Sequence, residues 1–361
     1  MESIRDIMKE AVERHASDIH IKNGNPPLLR IDGALVRLEQ FPVVTDEMAR
    51  ALLAEIVDER DMAKYDKLLE LDASCMYEDA ARFRVNACID DGKARIVLRL
   101  IPVVLKTLDD LVLPAILKKL CYLKNGLVLF TGPTGCGKST SLAAMIEEIN
   151  ANRPDHIITI EDPLEFMHGD KMGIVTQREV GHDTLSFANA LRAALRQDPD
   201  VILIGEMRDT ETVRTALASA ETGHLVFSTL HTIDAVETLH RIMEFFEPHQ
   251  QLQIRKQLAS VLRGICSQRL LPLAAGNGRV VACEMLVGTR TVRDFIEQGK
   301  SFKDILNIIE ESKGQWGMQS FDQALYDLWK RKVITSETAL ANATSSKDLK
   351  LRMQGMSVKS G

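Results

Sequence analysis

The decapeptide TGPTGCGKST, Thr131 to Thr140, carries the most specific chemistry in this 361-residue sequence. Gly132-Pro133-Thr134-Gly135-Cys136-Gly137-Lys138-Ser139 fits the pattern G-x-x-x-x-G-K-[ST] and follows the apolar run Leu127 to Phe130, so a strand precedes it and a helix follows. Its glycines let the backbone fold around phosphate with the N–H groups pointing inward, at the positive end of the helix that starts near Lys138. Lys138 is placed to neutralise β- and γ-phosphates, the Ser139 hydroxyl to bind Mg²⁺, and Thr140 to complete the loop. The pattern therefore implies ATP and Mg²⁺. Cys136, a small thiol beside helix-terminal N–H groups, is expected to favour the thiolate and to be an oxidation-sensitive position.

A phosphate loop needs an acid on the metal side and a group that positions water, and both should come from the ends of neighbouring strands. Val201-Ile202-Leu203-Ile204-Gly205-Glu206 is an apolar run that ends in such an acid, with glutamate where aspartate is usual in a Walker B strand. Ile157 to Ile160 runs into Glu161-Asp162-Pro163-Leu164-Glu165, a second acidic strand end that also reads as a solvated turn. A third strand, Leu225 to Ser228, lies between His224 and His231. Seven residues is the wrong spacing for a helical or CxxC-like metal site, which leaves His231 as a γ-phosphate sensor or as a structural hydrogen-bonding group.

These residues need a scaffold. From about Leu123 apolar strands alternate with helices, the signature of a mostly parallel sheet covered on both faces, and in such sheets ligands bind beyond the carboxyl ends of the strands. Strands are predicted at Leu127–Phe130, Ile157–Ile160, Val201–Ile204, Leu225–Ser228 and Val280–Leu286. Residues 1–100 read as a separate α+β unit. It has helices at Ile4 to Arg14 and Thr45 to Asp58, and a hairpin turning at Asp32-Gly33. Its strands Ala81–Ala87 and Ala94–Leu100 alternate, with Arg82, Arg84 and Asn86 on one face and Arg95 opposite the Ile96, Leu98, Leu100 face. Residues 101–122 are expected to link the units, 123–288 to form the ATPase core, 289–355 to be helical with Phe321, Leu325, Leu328 and Trp329 on one stripe, and 356–361 to be a loose tail.

Composition narrows the classes. Hydrophobic residues make up 45% and charged residues 27%, and no apolar run approaches the ~20 residues of a membrane helix, as expected for a cytoplasmic protein. The six cysteines lie at least thirteen positions apart, so no CxxC pair forms. A net charge of -6 and few aromatic residues argue against a motor driven by nucleic acid, and no nucleic-acid partner is expected. A nucleotide-gated scaffold that does not turn over is the non-enzymatic alternative.

The blocks TGPTGCGKSTSLAAMI, ITIEDPLEF, QREVGHDTLSFANALRAALRQDPDVILIGEMRD and ETGHLVFSTLHT together resemble the secretion-type hexameric ATPases, and among them the PilT-type retraction motors of type IV pili. ASDIHI, RFRVNA and GMQSFDQALYDL extend the resemblance over nearly the whole chain. It implies an α/β fold: a RecA-like core with an N-terminal PAS-like domain and C-terminal helices. It also implies a homohexameric ATPase that acts on an inner-membrane pilus platform protein, alone or with a paralogous retraction ATPase, at the cytoplasmic side of that membrane. Gly132 to Ser139 then match the Walker A loop, Glu161 to Glu165 lie in the aspartate box, Glu206 ends Walker B, and Gly223 to His231 form the histidine box. Family mechanisms place the water-activating glutamate at Glu165 or Glu206, with the other on the metal side; Glu165 is favoured as base. Arg82, Arg84 and Arg99 match arginines that reach nucleotide phosphates when the domains close, although alternating arginines also suit a solvent-facing strand. The lack of a CxxC zinc module favours retraction over assembly. Thr291 to Lys300, which only partly matches AIRNLIREGK, keeps a PilU-like accessory role open.

Overall fold

The computed structural model describes residues 3–78, 81–101, 105–299 and 304–356. The expected tail beyond Met356, and residues 102–104 of the expected linker, lie outside them. The chain divides into two compact units, Met1–Val104 and Leu105–Gly361.

The first unit opens with α1 (Ile4–Glu13), whose Ser3 and Asp6 form a capping box, and continues through β1 (Asp18–Lys22), β2 (Leu28–Ile31), β3 (Ala34–Arg37), α2 (Asp46–Ala54) and α3 (Glu59–Leu68). The long strands β4 (Glu70–Tyr77), β5 (Ala81–Asp90) and β6 (Lys93–Ile101) complete an antiparallel sheet in the order β3-β2-β1-β6-β5-β4. Phe83, Val85 and Ala87 on β5 and Ile96 and Leu98 on β6 are buried, so the polar members of these alternating strands share the other face. The second predicted helix stops at Ala54, short of Asp58, because Asp58 turns outward to cap α3 by accepting the N–H of Asp61.

The second unit begins with α4 (Ile116–Leu120), β7 (Gly126–Thr131), α5 (Lys138–Asn152), β8 (His156–Glu161), β9 (Ile174–Glu179), α6 (Phe187–Ala194), β10 (Val201–Ile204), α7 (Thr210–Glu221) and β11 (Leu225–Leu230). It continues with α8 (Ala235–Glu244), α9 (Pro248–Val261), β12 (Leu262–Pro272) and β13 (Arg279–Val287). Then come α10 (Arg290–Glu297), α11 (Ile305–Glu311), α12 (Lys313–Trp316), α13 (Phe321–Lys330), α14 (Ser336–Ala341) and α15 (Ser346–Met353). The sheet runs β13-β12-β7-β11-β10-β8-β9 and is parallel except for β13. Alternate residues of its central strands enter two separate cores. Leu127, Leu129, Ile158, Ile202 and Val226 pack on one face; Val128, Phe130, Ile157, Leu203 and Phe227 pack on the other. Burial on both faces is why these strands read as unbroken apolar runs.

Two features of this sheet add to the mostly parallel expectation. The strand predicted at Val280–Leu286 is present but antiparallel, because it returns as a hairpin from β12 and not through a crossover helix. Two strands that the apolar runs do not announce, β9 and β12, are present as well.

Candidate active site

The loop from Gly132 to Gly137 joins β7 to α5 as the pattern requires. Gly132, Gly135 and Gly137 have φ of 138°, 78° and 98°, values that side chains rarely adopt. Gly132 is also constrained by space: a Cβ there would sit 2.5 Å from the Gln268 carbonyl and 2.6 Å from the Cys136 sulfur. The backbone thus forms a cradle that admits no side chain at Gly132, opening on the first turn of α5, whose N-cap, Gly137, offers no side chain to its N–H groups. These donors suit phosphate oxygens. Lys138 is buried, and its Nζ donates to the carbonyls of Gly132 at 2.7 Å and Pro133 at 3.1 Å. Burial lowers its ammonium from the ordinary range, with Cys136 and Glu165 opposing. A buried cation whose hydrogen bonds go to backbone carbonyls is stabilised further by an incoming anion. The loop residues therefore fit a nucleotide triphosphate.

The base of the loop is anchored by β12. Thr131 donates its hydroxyl to Ser267 Oγ at 2.8 Å, and Gln268 donates from Nε2 to Ser141 Oγ on α5 at 2.7 Å. All four side chains are buried.

The acids come from the neighbouring strands. Glu206, directly after β10, is buried and accepts from His231 Nε2 at 3.1 Å. A carboxylate only accepts, so that nitrogen carries the proton. Partial burial, together with the positive charges of Lys138 and Arg208, holds His231 below the usual histidine range and leaves it neutral at pH 7. Arg208 pairs with Glu206 and lies 3.8 Å from Asp162, tying the ends of β10 and β8 together. Thr229 on β11 donates to the Gly205 carbonyl at 2.6 Å and fixes the height of Glu206. At the end of β8, Glu161 accepts the Glu165 N–H at 3.5 Å, and burial pushes its carboxyl up to about 7, with the Glu165 charge adding to the rise. Glu165 itself is exposed. A cavity of about 30 Å³ separates Ser139 from Glu161, Gly205 and Thr229, and an open cleft of about 380 Å³ is bordered by Arg208 and His231.

The second unit thus gathers Lys138, Ser139, Glu161, Glu165, Glu206 and His231 at the carboxyl ends of β7, β8, β10 and β11. The sequence does not single out Arg208, whereas Glu161 belongs to the acidic strand end expected from it. Arg208 has a signal in retrospect, because two converging acidic strand ends require a cation between them. Cys136 corrects an expectation: its thiol is buried, and burial pushes its pKa up despite Lys138 and the local N–H groups, so the thiolate is not favoured.

The three arginines lie on the polar face of the first unit's sheet. Arg82 is buried and donates to Ser74 Oγ at 2.6 Å. Arg84 is exposed and stands directly across the ladder from Arg99. Arg99 Nε donates to Asp18 Oδ1 at 2.8 Å. Burial raises the Asp18 carboxyl, but the hydrogen bonds from Arg99 and Ser17 outweigh it and hold the acid below its ordinary range.

Comparison with known proteins places the chain in a family. The family described as "Type II/IV secretion system protein" matches residues 1–291. The chain is 41% identical over 340 residues to the type IV pilus retraction ATPase PilT of Pseudomonas aeruginosa, covering 94% of this chain and 98% of that protein. It is 42% identical over 348 residues to the type IV pilus ATPase PilU of the same organism, covering 96% of this chain and 90% of that one. A crystal structure of the pilus retraction motor PilT with bound ADP superposes with a TM-score of 0.91 at 45% identity, over 97% of this chain and 99% of that one. The match is to the whole α/β architecture and not to the phosphate loop alone, so the chain belongs to the Type II/IV secretion system protein family and is one of its ATPases, of the PilT type.

Proposed function

We propose that this ATPase is the subunit of a homohexameric ring that drives disassembly of type IV pili and hence twitching motility, acting on a pilus platform protein at the cytoplasmic side of the inner membrane. The observation that carries the reading is the hydrogen-bonded set His231–Glu206–Arg208 near the buried Lys138 cradle, in a chain that matches PilT over 94% of its length. Consistent with work at a membrane surface and not within it, no helix among the described residues is long and apolar enough to cross a bilayer.

In this reading Lys138 and the N–H groups of the loop hold the β- and γ-phosphates. Ser139 and Glu206 offer the oxygen donors that a hard divalent cation takes, and Mg²⁺ bound there would offset charge on the phosphates. Glu165, exposed at the strand end, accepts the proton of the attacking water. Neutral His231 keeps Nδ1 free as an acceptor while Nε2 remains committed to Glu206, which suits a sensor of the γ-phosphate. Arg82, Arg84 and Arg99 are in this reading the arginines that act on the nucleotide phosphates during turnover.

A second reading is the accessory motor of the same machinery, favoured by the equally high identity to PilU. Deleting the gene and scoring surface pili, with complementation by the wild-type chain and by Lys138→Ala, tests both. Excess non-retracting pili that only the wild-type chain corrects support retraction. Normal retraction that fails only under load supports the accessory role, and loss of pili overturns both.

A further inference from the structure

Glu284 lies outside the residues discussed above, yet it joins α8, α13 and the strand that anchors the phosphate loop. It sits on β13 with a relative exposure of 3%. Its Oε1 accepts the backbone N–H of Ala235 at 2.9 Å, the first residue of α8 and the fourth after His231. The N–H of Phe321, the first residue of α13, also faces the carboxylate and favours its charge. Across the ladder its partner is Ser267, the residue that receives the Thr131 hydroxyl at the base of the phosphate loop. The charged groups around it are few. Arg269 on β12 favours the ionised form, and Asp234, the N-cap of α8, opposes it. Arg269 in turn donates to the Asn342 carbonyl, has its guanidinium 3.8 Å from the centre of the Phe321 ring, and feels the charge of Asp322 on α13.

Two helix N-termini therefore converge on one buried acid. One helix follows directly from the loop that carries His231; the other opens the C-terminal helical layer. We propose that Glu284 is a positioning residue for ATP turnover: its ionised carboxylate ties the first turn of α8 to the first turn of α13, so that the placement of the C-terminal helices sets the placement of His231 against Glu206. The inference rests on the reading of His231 as part of the hydrolytic site. Its physical basis is an inventory of acceptors. An ionised carboxylate accepts from both N–H groups at once with charge-assisted bonds, whereas protonation turns one oxygen into a donor and weakens its hold on the two helix starts. Burial pushes this carboxyl up to about 7, so the exchange falls in the working pH range.

The test is steady-state MgATP turnover by the full chain from pH 6 to 8. For the parent we expect kcat to rise several-fold through pH 7. In Glu284→Gln we expect kcat about tenfold lower at pH 8, KM for ATP within about twofold, and the rise through pH 7 abolished. The same substitution placed on His231→Ala should cost less than about threefold, because both changes act on one element. Glu284→Asp, which keeps the charge but is one methylene shorter, should lower kcat while retaining the pH transition, and it serves if the glutamine variant does not fold. A parent-like kcat and pH profile in either variant, or a full tenfold loss on the His231→Ala background, overturns the proposal. Parent-like turnover by His231→Ala alone would instead remove the reading of His231 and leave the result for Glu284→Gln standing by itself.

Discussion

His231 Nε2 and Glu206 Oε2 lie 3.1 Å apart, joining the ends of two adjacent parallel strands at the mouth of the phosphate loop. Because Glu206 is buried and His231 is held neutral, the pair is a directional hydrogen bond and not an ion pair. Replacing His231 with alanine should lower kcat by about 10- to 100-fold with a smaller change in ATP affinity, as expected for a group that acts mainly in the transition state. Stopped-flow nucleotide binding alongside steady-state turnover separates the two effects, and equal losses in both would make His231 a binding group.

Lys138→Ala removes the ammonium that the cradle's carbonyls hold. Turnover should fall by more than 100-fold and nucleotide affinity should drop with it, while far-UV circular dichroism stays that of the parent. Measurable steady turnover in that variant would contradict the phosphate assignment.

Gly132→Ala combines a positive φ with a collision against the Gln268 carbonyl and the Cys136 sulfur. A loss of about 2–4 kcal/mol in unfolding free energy is expected, since the obstacle on one side is backbone that cannot turn away. Urea denaturation of the variant against the parent measures it, and a change under about 0.5 kcal/mol would mean that β12 yields readily at this point.

Arg99 and Arg84 face each other across one ladder but differ in what they leave behind. Arg99→Ala strips Asp18 of one of its two side-chain hydrogen-bond donors, leaving Ser17, and should destabilise the chain by about 1–2 kcal/mol, whereas Arg84→Ala should be nearly neutral for stability and lower turnover. Melting curves and phosphate release for both variants decide this. If turnover is unchanged in Arg84→Ala, that residue belongs to the solvent-facing side of its strand alone.

Two acids give a stability signature. Glu161 and Glu284 both have carboxyls raised from 4.5 to about 7 in the folded chain. A raised acid binds more protons folded than unfolded, so its contribution to stability is complete below about pH 4.5 and is lost as pH rises through 7. Unfolding free energy should therefore decline between pH 5 and 8, and Glu284→Gln should flatten part of the decline. A parent whose stability climbs steadily over that window would show that neither acid is protonated in the native state.

The parts that sequence reveals and the parts it hides follow from what each segment faces. The strands β7, β8, β10 and β11 are covered on both sides, so their apolar runs, and the polar residues that end them, were readable without coordinates. β12 was not, because it turns Ser267, Gln268 and Arg269 toward the loop and the C-terminal helices, and these polar residues break the run that would have announced a strand. β9 is an edge strand of mostly half-exposed polar residues, and α3 buries only Tyr65. Arg99 could be placed on the right strand, but its partner Asp18 lies 81 residues away and no local pattern connects them. Glu161 is legible as an acid at a strand end, but its raised carboxyl is not, because that depends on burial by segments that no local pattern connects to it.

The strand order has a consequence for how the protein is made. The segment that becomes β7 leaves the ribosome early, but its neighbours in the sheet are β11 and β12, and the hydrogen bond from Thr131 to Ser267 spans 136 residues of chain. Until that length has been synthesised, the edges of β7 and the apolar faces of its residues have no native cover, and contacts of such separation form slowly. A nascent chain stalled before residue 262 would carry the whole glycine-rich motif yet lack the wall against which it folds. Competence to grip nucleotide is thus acquired late in translation, long after the motif itself has emerged.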